Sequence, residues 1–319
     1  MVATFIKKAC PSINKPTNNI KLGEKLVKVG MIGLGNMGNK IAKRLLSFGV
    51  DVGIFDIDEK AVSELVGLGA VEVNTPVELA RNYPYIITIL PNVAVVKEIV
   101  LGDNGLVHGF TPSSLLIEMT TSIPVVTKEL SKALTDQKFR MIDAPVSGGV
   151  KKATNGTLSI MVGGEEKDFQ EVKSLLNKIG ENVTHVGGIG AGHTIKALNN
   201  MISSTTLAIT GEAIALGVKL GLNPNKMLEV INSSTGRSVS SDFKFPTQIV
   251  NRKFDSGFTL DLMVKDLTIA MSMADDANVS MDIGSANYQL WQQALCKEKG
   301  QDHTAIIQHI EESFQVKIK

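Results

Sequence analysis

The chain has 319 residues, 43% hydrophobic and 20% charged, with a formal net charge of +1, which is room for two packed domains. A charge this near neutrality leaves no electrostatic footprint for a nucleic acid or an anionic membrane surface. Two cysteines, Cys10 and Cys296, exclude a disulfide framework or a cysteine metal cluster, and the five histidines show no spacing that would call for a structural metal.

Residues 1–26 are lysine- and asparagine-rich, with Pro11, Pro16 and a single acid, Glu24, and read as an N-terminal extension. Transit peptides are usually rich in arginine and serine, and this segment has no arginine. The expected location is cytoplasmic, with the mitochondrial matrix as the alternative if the extension is a transit peptide.

From Val27 the pattern turns regular. "VKVGMIG" predicts a strand, "MGNKIAKRLLSFG" a helix closed at Gly49, "VDVGIFD" a second strand and "DEKAVSELVGLG" a second helix. The strands "YIITIL", "SLLIEM" and "FRMIDA" follow with helical stretches between them. Then "GTLSIMVGG", "EKDFQEVKSLLNKIG" and "NVTHVGG" add a strand, a helix and a strand. Such alternation predicts an α/β domain over residues 27–188, built on a doubly wound parallel sheet with both faces covered. After residue 188 strand signals stop, and an all-helical domain is expected over 189–319, serving substrate binding and oligomerisation. Its helices break at "LGLNPNKM", "SSTGRSVSS" and "NRKFDSGF", with Asn223-Pro224 marking a helix start. The apolar run "MISSTTLAITGEAIALGVKLG" is interrupted by Glu212 and several hydroxyls, so it reads as a buried core helix, not a membrane span.

Three motifs carry chemistry. The first is "GLGNMG", comprising Gly33, Leu34, Gly35, Asn36, Met37 and Gly38, which follows a strand, opens a helix and precedes Asp56 at the end of the next strand. In that context the glycines form a dinucleotide fingerprint: Gly33 for the tight turn, Gly35 for approach of the pyrophosphate, Gly38 for close packing. The helix N-terminus then faces the phosphates. Asp56 would accept from the adenosine ribose hydroxyls and repel a 2′-phosphate, so NAD is favoured over NADP. Asp58 reads as the cap of the following helix.

The second motif is "DAPVSGG", Asp143 to Gly149. Ser147, Gly148 and Gly149 could hold a carboxylate through a hydroxyl and free amides, although taken alone the stretch is an ordinary turn. Asp143 reads as structural. The third is "GIGAGHTIKALNN", residues 188–200, in which Gly192, Lys196 and Asn200 recur every four residues and share one helix face. A lone lysine there could be a snorkelling surface residue, but its pairing with Asn200 at the domain junction points to a site.

Together these motifs resemble the β-hydroxyacid dehydrogenase family, and within it the 3-hydroxyisobutyrate dehydrogenases. The resemblance runs from about Val27 to the C-terminus, through "VGMIGLGNMGNKIAKRLL", "DAPVSGGVKKATNGTLSIMVGG", "GAGHTIKALNN", "SSTGRSVSSD" and "GFTLDLMVKDL". It implies a Rossmann-type cofactor domain, NAD as cofactor, Lys196 as catalytic residue, and Asn200, Ser147, Gly148 and Gly149 as substrate contacts. Leu90, Pro91, Thr121 and Lys265 fall on further cofactor contacts, although "EMTTSIP" departs from the family's Met-Ser-Thr-Ile-x-Pro order around Thr121. Asp261 and Phe258 fall near the substrate pocket.

The implied reaction is oxidation of a small 3-hydroxy acid, 3-hydroxyisobutyrate to methylmalonate semialdehyde. The alternatives are a reductase of tartronate, succinic or sulfolactaldehyde-type semialdehydes, a 2-(hydroxymethyl)glutarate dehydrogenase, or a non-catalytic cofactor-binding module. Arg237 could reach a second anionic group or simply order its loop. No metal, nucleic-acid or membrane partner is expected. Relatives are dimers or tetramers, and the small residues Ser203, Ser204, Ala208, Gly211, Ala213 and Ala215 suit close helix packing between or within subunits.

Overall fold

The computed structural model describes residues 21–22 and 25–319; apart from a short antiparallel pair, Lys21–Leu22 with Lys25–Leu26, the expected extension over 1–26 lies outside them. The sheet that follows has nine strands: β1 (Lys28–Ile32), β2 (Asp51–Phe55), β3 (Val71–Glu72), β4 (Tyr85–Thr88), β5 (Leu115–Glu118), β6 (Arg140–Asp143), β7 (Val146–Ser147), β8 (Leu158–Gly163) and β9 (Gly180–Gly187). Helices α1 (Asn36–Ser47), α2 (Glu59–Val66), α3 (Pro76–Asn82), α4 (Val93–Leu101), α5 (Pro124–Thr135), α6 (Gly149–Asn155) and α7 (Glu166–Leu176) connect them. The central strands are short apolar runs because both faces are covered: all four residues of β5 are buried.

The order is β9-β8-β6-β5-β4-β1-β2-β3, with β7 paired to β8. Strands β6 through β3 along this path are parallel, and β9 is parallel to β8. The wholly parallel sheet read from the sequence needs one correction. β8 runs antiparallel to β6 at the Gly163–Asp143 pair, because β7 continues β6 past Ala144-Pro145 in the same direction and the chain turns back through α6, so that β8 pairs antiparallel with both. β1 lies between β2 and β4, so the connections after β1 and β4 diverge. They leave a crevice beyond the strands' carboxyl ends, where open α/β sheets bind ligands.

The remaining residues form α8 (Ala191–Lys219), α9 (Pro224–Asn232), a π-helical segment (Ser240–Ile249), α10 (Leu260–Asp276), α11 (Asp282–Glu298) and α12 (Ile306–Phe314). Local chemistry starts them where expected. Asn223 caps α9 with Pro224 in its first turn, and Thr259 caps α10. α8 is the axis of this part, and a second core gathers Leu207, Ile214, Phe245, Leu267, Trp291 and Ile306 around it. Gly211 is needed for this packing: a Cβ there would come within 2.6 Å of Ile307 on α12.

Candidate active site

The turn from β1 into α1 is shaped by two close approaches. Gly33 adopts φ +94°, and a Cβ on it would strike the Ile89 carbonyl; a Cβ on Gly38 would strike the Gly33 carbonyl. Gly35 differs: among the described residues nothing lies within 4 Å of where its Cβ would be, and both it and Asn36 are exposed. Among the described residues no side chain caps α1, so its first amides face this open space. Asp56, at the end of β2, accepts from the amides of Leu34 (2.5 Å) and Asp58 (2.8 Å). Asp58 in turn caps α2 through the amides of Lys60 and Ala61. A cradle of free amides with a carboxylate at its rim fits a dinucleotide's pyrophosphate and ribose.

Across the crevice, Leu90 donates its amide to the Thr120 hydroxyl at 2.9 Å, and Lys265 on α10 reaches the Pro91 carbonyl at 3.3 Å. Thr121 stands partly exposed beside Thr120. Residues separated by up to 174 positions thus line one opening, with the helical part supplying Lys265.

Beneath it, Asp143 ties α8 to the sheet. Its two oxygens accept from the amides of Gly190 (2.7 Å) and His193 (2.8 Å), completing the start of α8 with a buried carboxylate. Gly192 lets the helix touch β8, since a Cβ there would strike the Met161 carbonyl. His193 is buried, with Nε2 2.7 Å from the Thr120 carbonyl and Nδ1 2.8 Å from the Thr127 hydroxyl. This pattern assigns the neutral Nε2–H tautomer. Burial pulls the His193 imidazole below its ordinary range, and burial together with the nearby Asp143 charge pushes the Glu118 carboxyl up to about 8. Both groups are therefore held neutral near pH 7.

One and two turns past this anchor stand Lys196 and Asn200, each 7% exposed. Asn200 donates its amide to the Asp266 carboxylate of α10. Burial drives Lys196 well below the usual lysine range, opposed by the Asp266 charge, and burial drives Asp266 up, opposed by Lys196. Among the described residues no carboxylate lies within 4.0 Å of the Lys196 amine. The amine is thus near a counter-charge but free to exchange a proton with a ligand.

Ser147 pairs with Ser159 of β8, and Gly148 and Gly149 follow it at φ +132° and +68°. Among the described residues nothing lies within 4 Å of a Cβ position on Gly149, so its amide borders open space, whereas a Cβ on Gly148 would strike Lys152.

Three residues missing from the sequence reading belong here. Asp266 was adjacent to Lys265 in "MVKDL", but its partner Asn200 is 66 residues away and invisible to spacing. Glu118 and His193 carried no local signal beyond lying near strand and helix ends. Asp261, by contrast, binds the Gly300 amide at 2.8 Å, and Phe258 packs edge-on to His303, so on α10 it is Asp266 that meets Asn200. Arg237 is exposed and pairs with Asp242 at 2.7 Å, ordering its own loop.

Comparison with known proteins fits this geometry. Residues 28–187 match the family described as NAD binding domain of 6-phosphogluconate dehydrogenase. Residues 190–310 match that described as NAD-binding of NADP-dependent 3-hydroxyisobutyrate dehydrogenase. The chain is 35% identical over 296 residues to 2-(hydroxymethyl)glutarate dehydrogenase of Eubacterium barkeri, spanning 92% of this chain and 98% of that one. It is 36% identical over 291 residues to mitochondrial 3-hydroxyisobutyrate dehydrogenase of Homo sapiens, spanning 89% and 87%. The solved structure of Mycobacterium tuberculosis 3-hydroxyisobutyrate dehydrogenase with L-serine superposes at a TM-score of 0.83 and 28% identity, covering 89% and 99%. With a dinucleotide cradle on the sheet, a buried lysine on the junction helix and these relatives over nearly its whole described length, the chain belongs to the β-hydroxyacid dehydrogenase family and is an NAD(P)-binding oxidoreductase acting on a hydroxyl group.

Proposed function

We propose that this protein catalyses the NAD-dependent oxidation of a small 3-hydroxy acid, with 3-hydroxyisobutyrate to methylmalonate semialdehyde as the reference reaction. The observation that carries the reading is Lys196, buried with no ion-pair partner among the described residues, one turn before Asn200 and beside the crevice closed by Lys265 and Pro91. A nicotinamide dinucleotide, when bound, supplies the acceptor for the hydride of the carbinol carbon. Lys196, its pKa lowered by burial, takes the hydroxyl proton as the carbonyl forms and returns it in the reverse direction. Asn200, held by Asp266, donates to the substrate without competing for that proton, and Ser147, Gly148 and Gly149 receive the carboxylate.

Asp56, partly exposed at the rim of the cradle, supports NAD over NADP. The Eubacterium barkeri relative is named for an acid that keeps the hydroxymethyl group and carboxylate but adds a second carboxylate. A partly buried lysine bonded to α8, Lys244, supports an acid of that kind as the substrate within the same reaction class. Relatives named as mitochondrial support a matrix location if residues 1–26 act as a transit peptide; otherwise the cytoplasm is the reading.

The test is the rate of NADH formation with 3-hydroxy acids for wild type and Lys196→Ala. Turnover should fall at least about a hundredfold in the variant, the size of a lost general base, while NADH binding persists. Unchanged turnover would overturn the role of Lys196, and a wild-type preference for NADP would overturn that of Asp56.

A further inference from the structure

Lys244 lies on the π-helical segment Ser240–Ile249, a rare geometry that recurs at functional sites. Its amine donates to the Ser203 hydroxyl of α8 at 3.0 Å. Seven residues separate Ser203 from Lys196, which puts them within about 20° of each other around the helix and about 10 Å apart along it. Asn200 stands between them on the same face. That face therefore reads, in order from the sheet, as a lysine, an amide, and a hydroxyl bearing a second lysine.

The second cation is poorly matched by the protein itself. Its nearest acid influence is Asp302, whose oxygens are already taken by the Thr304 amide and hydroxyl, the Ser256 hydroxyl and the Gly257 amide. Among the described residues no carboxylate lies within 4.0 Å of the Lys244 amine. The other titratable group beside it, His303, is itself held neutral by burial, its pKa pulled down to about 4. Burial also pulls Lys244 down to about 8. A cation sunk this far without a counter-ion costs stability, and an anion arriving from the cleft would restore its full charge.

We infer that Lys244 is a specificity-determining residue that recognises a second carboxylate on the substrate, so that the protein prefers a 3-hydroxy dicarboxylic acid to a monocarboxylic one. This rests on Lys196 and Asn200 facing the substrate. With one carboxylate at Ser147–Gly149 and the hydroxyl at Lys196, a side arm of two or three carbons pointing along α8 carries its own carboxylate past Asn200 toward Lys244. A methyl branch in that position leaves the lysine unmet.

Steady-state kinetics with NAD on 2-(hydroxymethyl)glutarate and 3-hydroxyisobutyrate test this in wild type, Lys244→Met, Lys244→Arg and Arg237→Ala. Wild type should favour the dicarboxylate at least tenfold in kcat/KM. Lys244→Met should lower that preference by about 30-fold, through KM, as the loss of one partner of a desolvated charge pair does. Lys244→Arg should retain most of the preference, and Arg237→Ala all of it. A wild type indifferent to the second carboxylate would overturn the inference, as would a Lys244→Met variant impaired equally on both acids, since that marks a tie to Ser203 and nothing more. Should neither acid be turned over, calorimetric binding of glutarate and butyrate to the NAD complex separates the two ideas. Glutarate binding that weakens in Lys244→Met upholds the subsite while refuting the reaction, and identical binding in both proteins refutes the subsite.

Discussion

Asp266 acts on two neighbours at once, holding the Asn200 amide and opposing the neutralisation of Lys196. Replacing it by asparagine removes the charge that favours the ammonium form, so the Lys196 pKa falls further. In the proposed oxidation the lysine acts unprotonated, so the rising limb of kcat against pH should move to lower pH in Asp266→Asn. A limb that stays in place would show that another group sets the profile. Lys196 and Asn200 were legible in the sequence because a four-residue repeat on one helix is a local pattern. Asp266 was not, because its contact crosses between helices. The same limit explains two basic residues of the helical part: Arg237 stood out beside glycine in a polar loop yet binds Asp242, whereas Lys244 sat among phenylalanines and gave no sign of its bond to Ser203 on α8.

Among the elements, α8 shows how placement is enforced. Gly192 permits contact with the Met161 carbonyl, and Asp143 holds the adjacent amides, so the first turn is seated on β8 and the end of β6. Gly192→Ala should lift that turn by a fraction of an ångström and carry Lys196 with it. We expect kcat to drop by a factor on the order of ten to a hundred, with NADH affinity held, as read by stopped-flow and fluorescence titration. A variant with wild-type kcat would mean that the close approach does not position the lysine. Most of the sheet could be read from alternating apolar runs and from the glycine turn with Asp56, since strands and helices announce themselves locally. The reversed direction of β8 could not, because it depends on the two-residue strand β7 extending β6 past Pro145 and on α6 turning the chain back onto that edge.

At the scale of the molecule, α8 leaves one face uncovered. Ile195, Ile202, Ile209 and Leu216 recur every seven residues, and the last three are 66%, 57% and 51% exposed. The small residues behave differently: Ser204 bonds Asn287 and Gly211 packs on α12, so both serve contacts within the chain. A heptad stripe along a 29-residue helix matches a second copy of itself about a two-fold axis, and we propose that it forms the contact of a homodimer. Wild type should sediment as a dimer or larger and Ile209→Asp near 34.2 kDa; a wild-type monomer would refute the contact. The Asp143 anchor has a mechanical consequence as well. It makes α8 a lever pinned at its sheet end, so any swing of the helical part moves Ser203 and Lys244 through a wider arc than Lys196. An opening motion of that kind would widen the far end of the cleft while Lys196, close to the pinned end, keeps its place, so that opening and the proposed proton transfer need not compete for the same motion.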